Sequence, residues 1–495
     1  MGGDTAENDV KVVADDGTEQ SYSNQSEPML PTISETTDWK SIYLAGLCSF
    51  IQATQFSIFF TSMYQYILTL VPDVTQKSFG FVVTAYSLSQ AICSPIFGWW
   101  SNTIGEVRLP LIVGFLIMAL GNLVYLSLQY FTDHHLIVMM VARLVAGGGT
   151  GNMSLLRAYA STASTSQDRS RAVACVSGGI AIGSMIGPGL QLMFTPLGED
   201  GINILGVNVS IYTCPALLCL CLNFLGLSMV SFVFEEKQIL NQEKNLDRNE
   251  ETGEAKIKTV TNPDIVAIML CVVTRFSQIF LNTTHESIGS AYMMMMFGFE
   301  KEESVSVNSG LHTITGMIAA SIFITFIFTN VRKYVKNRVF TSISLILPLL
   351  WLISTYPYSF YNEHVSQMIN GSDANCDMEK YTWCSSLHRV PELIYFTGYI
   401  ITYGISYSLM NITVTTIYSK VIGPRPQGTY QGIYQMAGSF GRMIAPLLMS
   451  FTYSLYGPSV PWLILIVNLG ILNIVWIILR GRMVPFEKYR SNKIQ

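Results

Sequence analysis

Twelve apolar stretches, each about as long as a helix needs to cross a bilayer, run through this sequence. Half of its 495 residues are hydrophobic and only 13% are charged, which indicates a membrane protein. Because backbone polar groups in lipid must be satisfied within the chain, we predict an all-α membrane protein with twelve transmembrane helices. The stretches cover residues 41–70, 78–100, 109–130, 135–160, 172–195, 211–234, 264–298, 305–330, 339–357, 391–418, 429–456 and 459–480.

A charged segment separates the twelve stretches into two sets of six. The predicted parts are a disordered cytosolic tail, an N-terminal six-helix half, a cytosolic linker, a C-terminal six-helix half and a second cytosolic tail. They cover residues 1–39, 40–234, 235–263, 264–480 and 481–495. The first tail lacks the apolar core of a signal peptide, so we expect the first helix to direct insertion. The run around Glu27 resembles an acidic dileucine sorting signal in a degenerate form. By itself, it is more typical of a linker than of a sorting signal.

The distribution of Lys and Arg predicts which side of the membrane each loop occupies. With the N-terminus in the cytosol, the outer loops hold only Lys77, Lys301, Lys380 and Arg389. The arginines within the apolar stretches or at their ends are Arg143, Arg157, Arg275 and Arg442. All other basic residues then fall in cytosolic segments, so both termini and the central linker are predicted to be cytosolic.

Two sequons and two cysteines fall in loops on the other side. Asn208 and Asn370 head sequons there, where glycosylation takes place. Cys376 and Cys384 are the only cysteines outside the apolar stretches. Because that compartment is oxidising, we predict a disulfide between them.

The chain also contains an internal repeat. The run 183–188 reads almost the same as 441–446, about half the chain later, which is typical of duplicated transporter domains. The copies differ where Ser184 corresponds to Arg442. A lone arginine in a membrane helix is costly and faces a protein interior or a watery cavity. The simpler alternative is that Arg442 only caps neighbouring carbonyls.

Three motifs resemble those of the major facilitator superfamily. The loop 98–108 resembles its signature loop, with Asn102 in place of the usual acid, and 143–151 resembles its arginine–glycine motif. The run 183–188 resembles its Gly–Pro motif. The resemblance implies the superfamily fold of two six-helix halves. The residues that would serve conformational change are Gly98, Asn102, Gly105, Gly147, Gly151, Gly187, Pro188 and Pro446.

Two longer runs, 86–102 and 418–428, resemble a family of lysosomal membrane proteins linked to neuronal ceroid lipofuscinosis type 7, within this superfamily. The chain resembles this family from about Trp39 to Arg482, and it looks like an invertebrate member of it. The resemblance implies a multi-pass protein of the lysosomal or late endosomal membrane, with chloride permeation as the activity.

In this superfamily, stretches one, four, seven and ten line the central cavity. Polar residues recur on the seventh stretch at helical spacing, from Arg275 to Gly289. There, a buried Glu286 would carry protons or form a structural ion pair, with Arg143 as one partner. His285 is more often a polar packing contact than a proton carrier. The predicted pathway residues are Arg143, Arg275, His285, Glu286, Tyr399, Tyr403, Tyr407 and Arg442.

An excess of arginine over glutamate near the cavity favours an anionic substrate. The expected partners are the lipid bilayer and a small anion, either chloride or an organic anion, with or without protons. The net charge of −4 gives no indication of nucleic-acid binding, and the oligomeric state is left open. No ATP-binding loop, metal-ligand cluster or nucleophile–base pattern is evident, so we expect neither a cofactor nor enzymatic activity. The alternatives are a proton-coupled organic-anion or small-metabolite carrier and a transport-dead receptor or scaffold.

Overall fold

A computed structural model describes most of the chain as helices. It covers residues 37–486 except 60–61, 72–75, 132, 166, 199–200, 205–206, 237–262, 330, 332–333, 362, 367–375, 377–380 and 424. The helices of the first half are α1 (Trp39–Ser57), α2 (Met63–Leu70), α3 (Gln76–Ile104), α4 (Arg108–Leu126), α5 (His135–Gly149), α6 (Met153–Thr162), α7 (Arg169–Leu192) and α8 (Cys214–Ser228). Those of the second half are α9 (Ile265–Phe297), α10 (Lys301–Phe328), α11 (Asn337–Ser354), α12 (Glu392–Ile400), α13 (Tyr407–Ile422), α14 (Gly428–Tyr456) and α15 (Ser459–Leu479).

Within the described residues, nine helices are long and apolar enough to cross a membrane. They correspond to nine of the twelve predicted spans. The other three predicted spans, 41–70, 391–418 and 429–456, are more polar or are interrupted. These three spans carry several of the side chains found where the two halves meet.

Several predicted spans are not single α-helices. The first is wrong as a continuous span, because α1 ends at Ser57 and α2 begins at Met63. At that end, the Ser57 hydroxyl bonds the carbonyl of Ala53 (3.1 Å) and lies 3.2 Å from that of Gly183 on α7, which favours a bend. The fourth span passes from α5 to α6 through a 3₁₀ turn, Thr150–Asn152, and the tenth contains a π-helical segment, Ile401–Ser406.

Each half has its own interior, and the two halves meet along a few helices. In the first half α1 packs on α7, and α4 and α3 pack on α5. In the second half α9 packs on α14, and α11 packs on α13 and α15. Between the halves, α3 packs on α14 and α7 packs on α10. These two pairs make the larger contacts between the halves, and α6 on α14 and α7 on α13 add smaller ones.

The outer helices present apolar side chains to the surroundings. On α15, Ile471, Ile474 and Ile478 are 59%, 59% and 72% exposed, at the spacing of one helical face. Such a stripe is what a lipid-facing helix requires. One element was not predicted: a short antiparallel hairpin of β1 (Ile202–Ile204) and β2 (Val207–Val209), between α7 and α8.

Candidate functional site

The halves approach most closely at the predicted cytosolic ends of α3 and α14. A Cβ atom on Gly98 would lie 2.2 Å from the Gly428 carbonyl oxygen, so only glycine permits this approach. Beside it, Asn102 Nδ2 donates to Thr429 Oγ1 (2.8 Å), and Asn102 Oδ1 accepts from the Gly428 amide (3.0 Å). Asn102 therefore links the two halves through neutral hydrogen bonds, where the superfamily motif has an acid.

Further hydrogen bonds join the halves nearer to mid-membrane. Ser439 Oγ donates to Gln90 Oε1 (2.8 Å), and Arg157 Nη1 donates to Gln435 Oε1. Among the described residues, every hydrogen bond between the halves lies between mid-membrane and the predicted cytosolic end. The structure is therefore closed on the predicted cytosolic side.

The two copies of the internal repeat occupy equivalent positions. A Cβ on Gly183 of α7 would lie 2.4 Å from the Phe50 carbonyl of α1, and one on Gly441 of α14 would lie 2.8 Å from the Phe276 carbonyl of α9. The motif prolines, Pro188 and Pro446, lie inside α7 and α14. Each half therefore packs this glycine-containing helix against its own first helix.

The other motif glycines also mark close contacts or a turn. A Cβ on Gly147 would lie 2.3 Å from the Tyr86 carbonyl, and one on Gly187 would lie 1.9 Å from Ser57 Oγ. At Gly151 the nearest atoms belong to Cys93, 3.0 Å away. Gly105, which follows α3, has a φ of +74°, a left-handed conformation that glycine adopts easily.

Arg143 lies in the first half beside a small cavity. The cavity, about 20 Å³, has room for one water-sized species. It is lined by Phe56, Phe59, Met63, Val83, Tyr86 and Arg143. The Arg143 guanidinium lies 3.7 Å from the centre of the Phe59 ring, and its Nε lies 3.0 Å from the Met63 sulfur. Its Nη2 is buried and has no hydrogen-bond partner among the described residues.

Arg275 and Arg157 lie in the buried region between the halves. Arg275 Nη1 donates to Gln278 Oε1 (3.0 Å) and to Asn411 Oδ1 (3.4 Å), and its side chain passes beside Gly438. Arg157 is 1% exposed and bonds the amide of Gln435. Both arginines therefore have neutral amide oxygens as hydrogen-bond acceptors.

Arg442 reaches from the second half to the first. Its guanidinium lies 4.5 Å from the centre of the Phe56 ring on α1, in a cation–π contact. Phe56 also lines the cavity at Arg143. The aromatic contact differs from carbonyl capping, the simpler interpretation of this residue.

None of these four arginines forms an ion pair with a carboxylate among the residues that the structure describes. Arg157 is close enough to Arg275 and Arg442 for the like charges to interact. Leaving buried charges uncompensated typically costs several kcal/mol. The arrangement is therefore suited to an anion that enters between the halves.

The prediction of a buried Glu286 is wrong. Its side chain is exposed, accepts from Asn282 Nδ2 (2.5 Å) and forms no ion pair with Arg143. Its neighbour His285 is only 3% exposed, and its ring lies 4.9 Å from that of Trp351 and 5.5 Å from that of Tyr403. Consecutive residues point about 100° apart on a helix, so His285 can face the core while Glu286 is exposed. His285 is thus a packing residue of the second half.

The tyrosine series on the tenth span does not form one exposed line. Tyr399 and Tyr403 are 4% and 8% exposed and pack together, with ring centres 4.5 Å apart. Tyr403 donates to the Leu281 carbonyl (3.3 Å). The π-helical segment changes the rotation between successive residues, so the four-residue spacing no longer marks one face. Only Tyr407 is partly exposed and within electrostatic range of Arg275, Arg157, Arg442 and Glu286.

Arg157 was not predicted as a pathway residue. It lies fourteen positions after Arg143, close to four helical turns, so the spacing places both on similar faces of the fourth span. That periodicity was available in the sequence, but the position of Arg157 at the end of the span suggested a boundary residue.

On the predicted outer side, Cys376 and Cys384 form a disulfide with Cα atoms 5.9 Å apart. Asn208 lies half-buried in β2, and its backbone amide donates to Gln129. Asn370 and the sorting-like run around Glu27 lie outside the described residues. Glycosylation at either asparagine stays a prediction.

Comparisons with known proteins agree with this architecture. The sequence profile of the Major Facilitator Superfamily matches residues 45–446. Major facilitator superfamily domain-containing protein 8 of Xenopus laevis is 26% identical, over 85% of this chain and 86% of that protein. Multidrug resistance protein 2 of Bacillus subtilis is 22% identical, over 59% of this chain and 67% of that protein.

A solved structure has the same fold. The human organic anion transporter MFSD10 matches with a TM-score of 0.61 and 13% identity, over 88% of this chain and 99% of that chain. At this identity the likeness shows the fold alone. It agrees with the predicted all-helical architecture, and the profile match over residues 45–446 shows a role in secondary transport. The chain belongs to the Major Facilitator Superfamily, whose members are membrane transporters and not enzymes.

Proposed function

We propose that this carrier moves an anion across the membrane through the space between its halves. The observation that carries the proposal is the set of four arginines at or near the halves' interface without a carboxylate partner among the described residues. Rings of arginine or lysine are how anion pathways attract their substrates. An anion bound there would supply the compensating charge that the protein lacks.

The cavity at Arg143 favours a small anion at that position. Its volume of about 20 Å³ admits a single water-sized species, and its walls are largely aromatic and aliphatic. Arg143 is the one charged residue of this lining, so its positive charge acts on any species in the cavity. These features support chloride, the activity implied by the resemblance, over a large organic anion at this position.

Arg442 and Tyr407 would form the second position along the pathway. Arg442 approaches the first half at Phe56, which is shared with the Arg143 cavity. Tyr407 adds a hydroxyl within electrostatic range of the central arginines. An anion would therefore pass from Arg442 to Arg143 along one aromatic wall.

Glu286 supports a second candidate, proton coupling. It is an exposed carboxyl on α9 and lies within electrostatic range of Tyr399, Tyr403 and Tyr407. We propose that Glu286 makes anion movement depend on pH. Lysosomal or late endosomal location is part of the same proposal, supported by the similarity to domain-containing protein 8.

The test is flux from liposomes that contain purified protein. Arg442→Gln and Arg143→Gln should each lower chloride flux by roughly tenfold or more, which corresponds to about 1.4 kcal/mol of lost anion stabilisation. Arg171→Gln is the matched control, because Arg171 packs over Trp39 outside the arginine group. Comparing flux at acidic and neutral pH tests coupling, and Glu286→Gln should remove the difference.

Wild-type flux in folded Arg442→Gln and Arg143→Gln proteins would refute the anion pathway. If the wild-type protein transports no chloride but exchanges organic anions, the substrate assignment fails while the pathway stands. A folded protein that transports neither class, and instead co-purifies with a partner, would support the scaffold alternative.

A further inference from the structure

We propose that the second half carries a separate binding site for the phosphate groups of an anionic phospholipid, on its predicted cytosolic face. The site is a cavity of about 400 Å³, large enough for a lipid headgroup. It lies between the start of α11, the end of α13 and the segment that follows α15. The lining residues are Val335, Lys336, Asn337, Arg338, Val339, Ile417, Lys420, Val421, Arg480, Met483, Val484 and Pro485.

The charge of the cavity matches a phosphate group. Lys336, Arg338, Lys420 and Arg480 contribute four cations from three separate parts of the chain, and none of the twelve lining residues is acidic. Arg338 Nη1 lies 3.4 Å from the Arg480 carbonyl, a contact that positions its guanidinium at the rim. Arginine and lysine together bind phosphate through charge and directed hydrogen bonds.

The start of α11 adds to this field. Lys336 is its N-cap residue, no side chain caps the helix, and no acidic residue lies in its first turn. The amide end of a helix carries a partial positive charge that favours anions. Here that end borders a cavity that already contains four cations, so the helix and the side chains act on the same space.

Among the described residues, the carboxylate that pairs with Arg482 is already bound away from the cavity. Asp264 accepts from Arg482 Nε (2.8 Å) and also caps α9 through the amides of Val266 and Ala267. It is only 5% exposed and is not among the lining residues. An entering phosphate would therefore not compete with Asp264 for Lys336, Arg338 or Arg480.

The surroundings favour a lipid over a soluble phosphate. The lining also includes apolar side chains, among them Ile417, Val421 and Met483, all of which are buried. On the adjoining helices, Ile477 is 64% exposed and Ile343 is 43% exposed, as expected of side chains that face acyl chains. A headgroup in the cavity could thus keep its chains in the bilayer. Basic pockets on the cytoplasmic side of membrane helices are typical sites for phosphorylated headgroups.

The experiment measures binding to the full-length protein in neutral detergent. The probes are dioctanoyl phosphatidylinositol phosphate, dioctanoyl phosphatidylcholine and inorganic phosphate, each followed by intrinsic fluorescence and by the shift in melting temperature. We expect saturable binding of the phosphorylated lipid and little response to the other two probes. The double variant Lys336→Gln/Arg338→Gln should weaken binding of the phosphorylated lipid about tenfold or more. Each of the two basic residues contributes to the attraction of an anionic headgroup, and the variant removes both.

The control is Lys40→Gln, which removes a lysine of the first half that pairs with Glu235 on the same predicted side. It should leave binding unchanged. If the double variant elutes as aggregate, Arg480→Gln, at an exposed position of the same cavity, gives the second measurement. Unweakened lipid binding in a folded cavity variant would overturn the proposal. Equal affinity for inorganic phosphate would show that the cavity does not select a lipid, and would overturn the proposal that a phospholipid is its ligand.

Because the site is outside the arginine group between the halves, its test is independent of anion transport. In liposomes of phosphatidylcholine alone, the cavity variants should carry anions at the wild-type rate. Loss of lipid binding with intact flux would support two separate sites. Loss of flux in those liposomes would show that the cavity belongs to the transport machinery, and would overturn the separation.

Discussion

Replacing Asn102 with alanine should weaken the contact that closes the protein on its predicted cytosolic side. The side chain makes two hydrogen bonds to the opposite half, to Thr429 (2.8 Å) and Gly428 (3.0 Å). A typical intramolecular hydrogen bond contributes about 0.5–1.5 kcal/mol net. The two together should therefore stabilise the closed arrangement by about 1–3 kcal/mol.

That energy applies to the conformational equilibrium, because both partners belong to the other half and separate when the halves move apart. A change of about 1–3 kcal/mol alters the ratio of two states roughly 5- to 150-fold. The neighbouring glycine contact, Gly98 against Gly428, does not involve this side chain. We therefore expect a population shift towards the cytosol-open state with little change in folding stability.

Single-molecule fluorescence transfer would measure the shift. Dyes placed at Glu106 and Tyr334, both exposed and on the predicted cytosolic side of different halves, should move apart in Asn102→Ala. Thr103→Ala is the matched control, since its hydroxyl bonds only the Trp99 carbonyl of its own helix. Equal populations in the wild-type and Asn102→Ala proteins would refute the assignment of Asn102 as a latch between the halves.

Three further changes test the structure. His285→Phe should keep flux within about twofold and cost less than about 1.5 kcal/mol, because the ring packs among aromatic residues; a large flux loss with normal melting would contradict this. Cys376→Ser or Cys384→Ser should lower stability by about 2–4 kcal/mol, measured by thermal melting with and without reductant. Gly147→Ala should destabilise by about 1–3 kcal/mol because its Cβ would meet backbone 2.3 Å away, whereas Gly310→Ala, with open space around it, should not. Equal melting of the two glycine variants would count against the tight helix contact.

Much of the fold could be predicted because membrane helices must be apolar over a fixed length. Nine predicted spans reappear as helices that meet that requirement, and the repeated Gly–Pro run marks equivalent packing in both halves. The break after Ser57 could not be predicted, because it accompanies a contact with Gly183, far along the chain. Hydropathy carries no information about such tertiary contacts.

The charged residues of the candidate site could be predicted from the sequence, but the direction in which each side chain faces could not. Arginine in a membrane helix is rare enough to stand out, so Arg143, Arg275 and Arg442 could be identified from sequence. The side that a residue faces depends on helix rotation, and the π-helical segment changes that rotation between Tyr403 and Tyr407. An i,i+4 pattern assumes regular α-helix geometry, so it placed three tyrosines on a line that only one of them occupies.

The duplicated halves differ at the repeat position, where only the second copy carries an arginine. Ser184 and Arg442 occupy corresponding places in the two copies, and both glycine contacts beside them are preserved. A second arginine at Ser184 would add a like charge to a half that already holds Arg143. Like charges repel, and each added cation has to be solvated or neutralised. One charged copy and one neutral copy thus avoid a further cation in a protein that already holds Arg143, Arg157, Arg275 and Arg442 in its two halves.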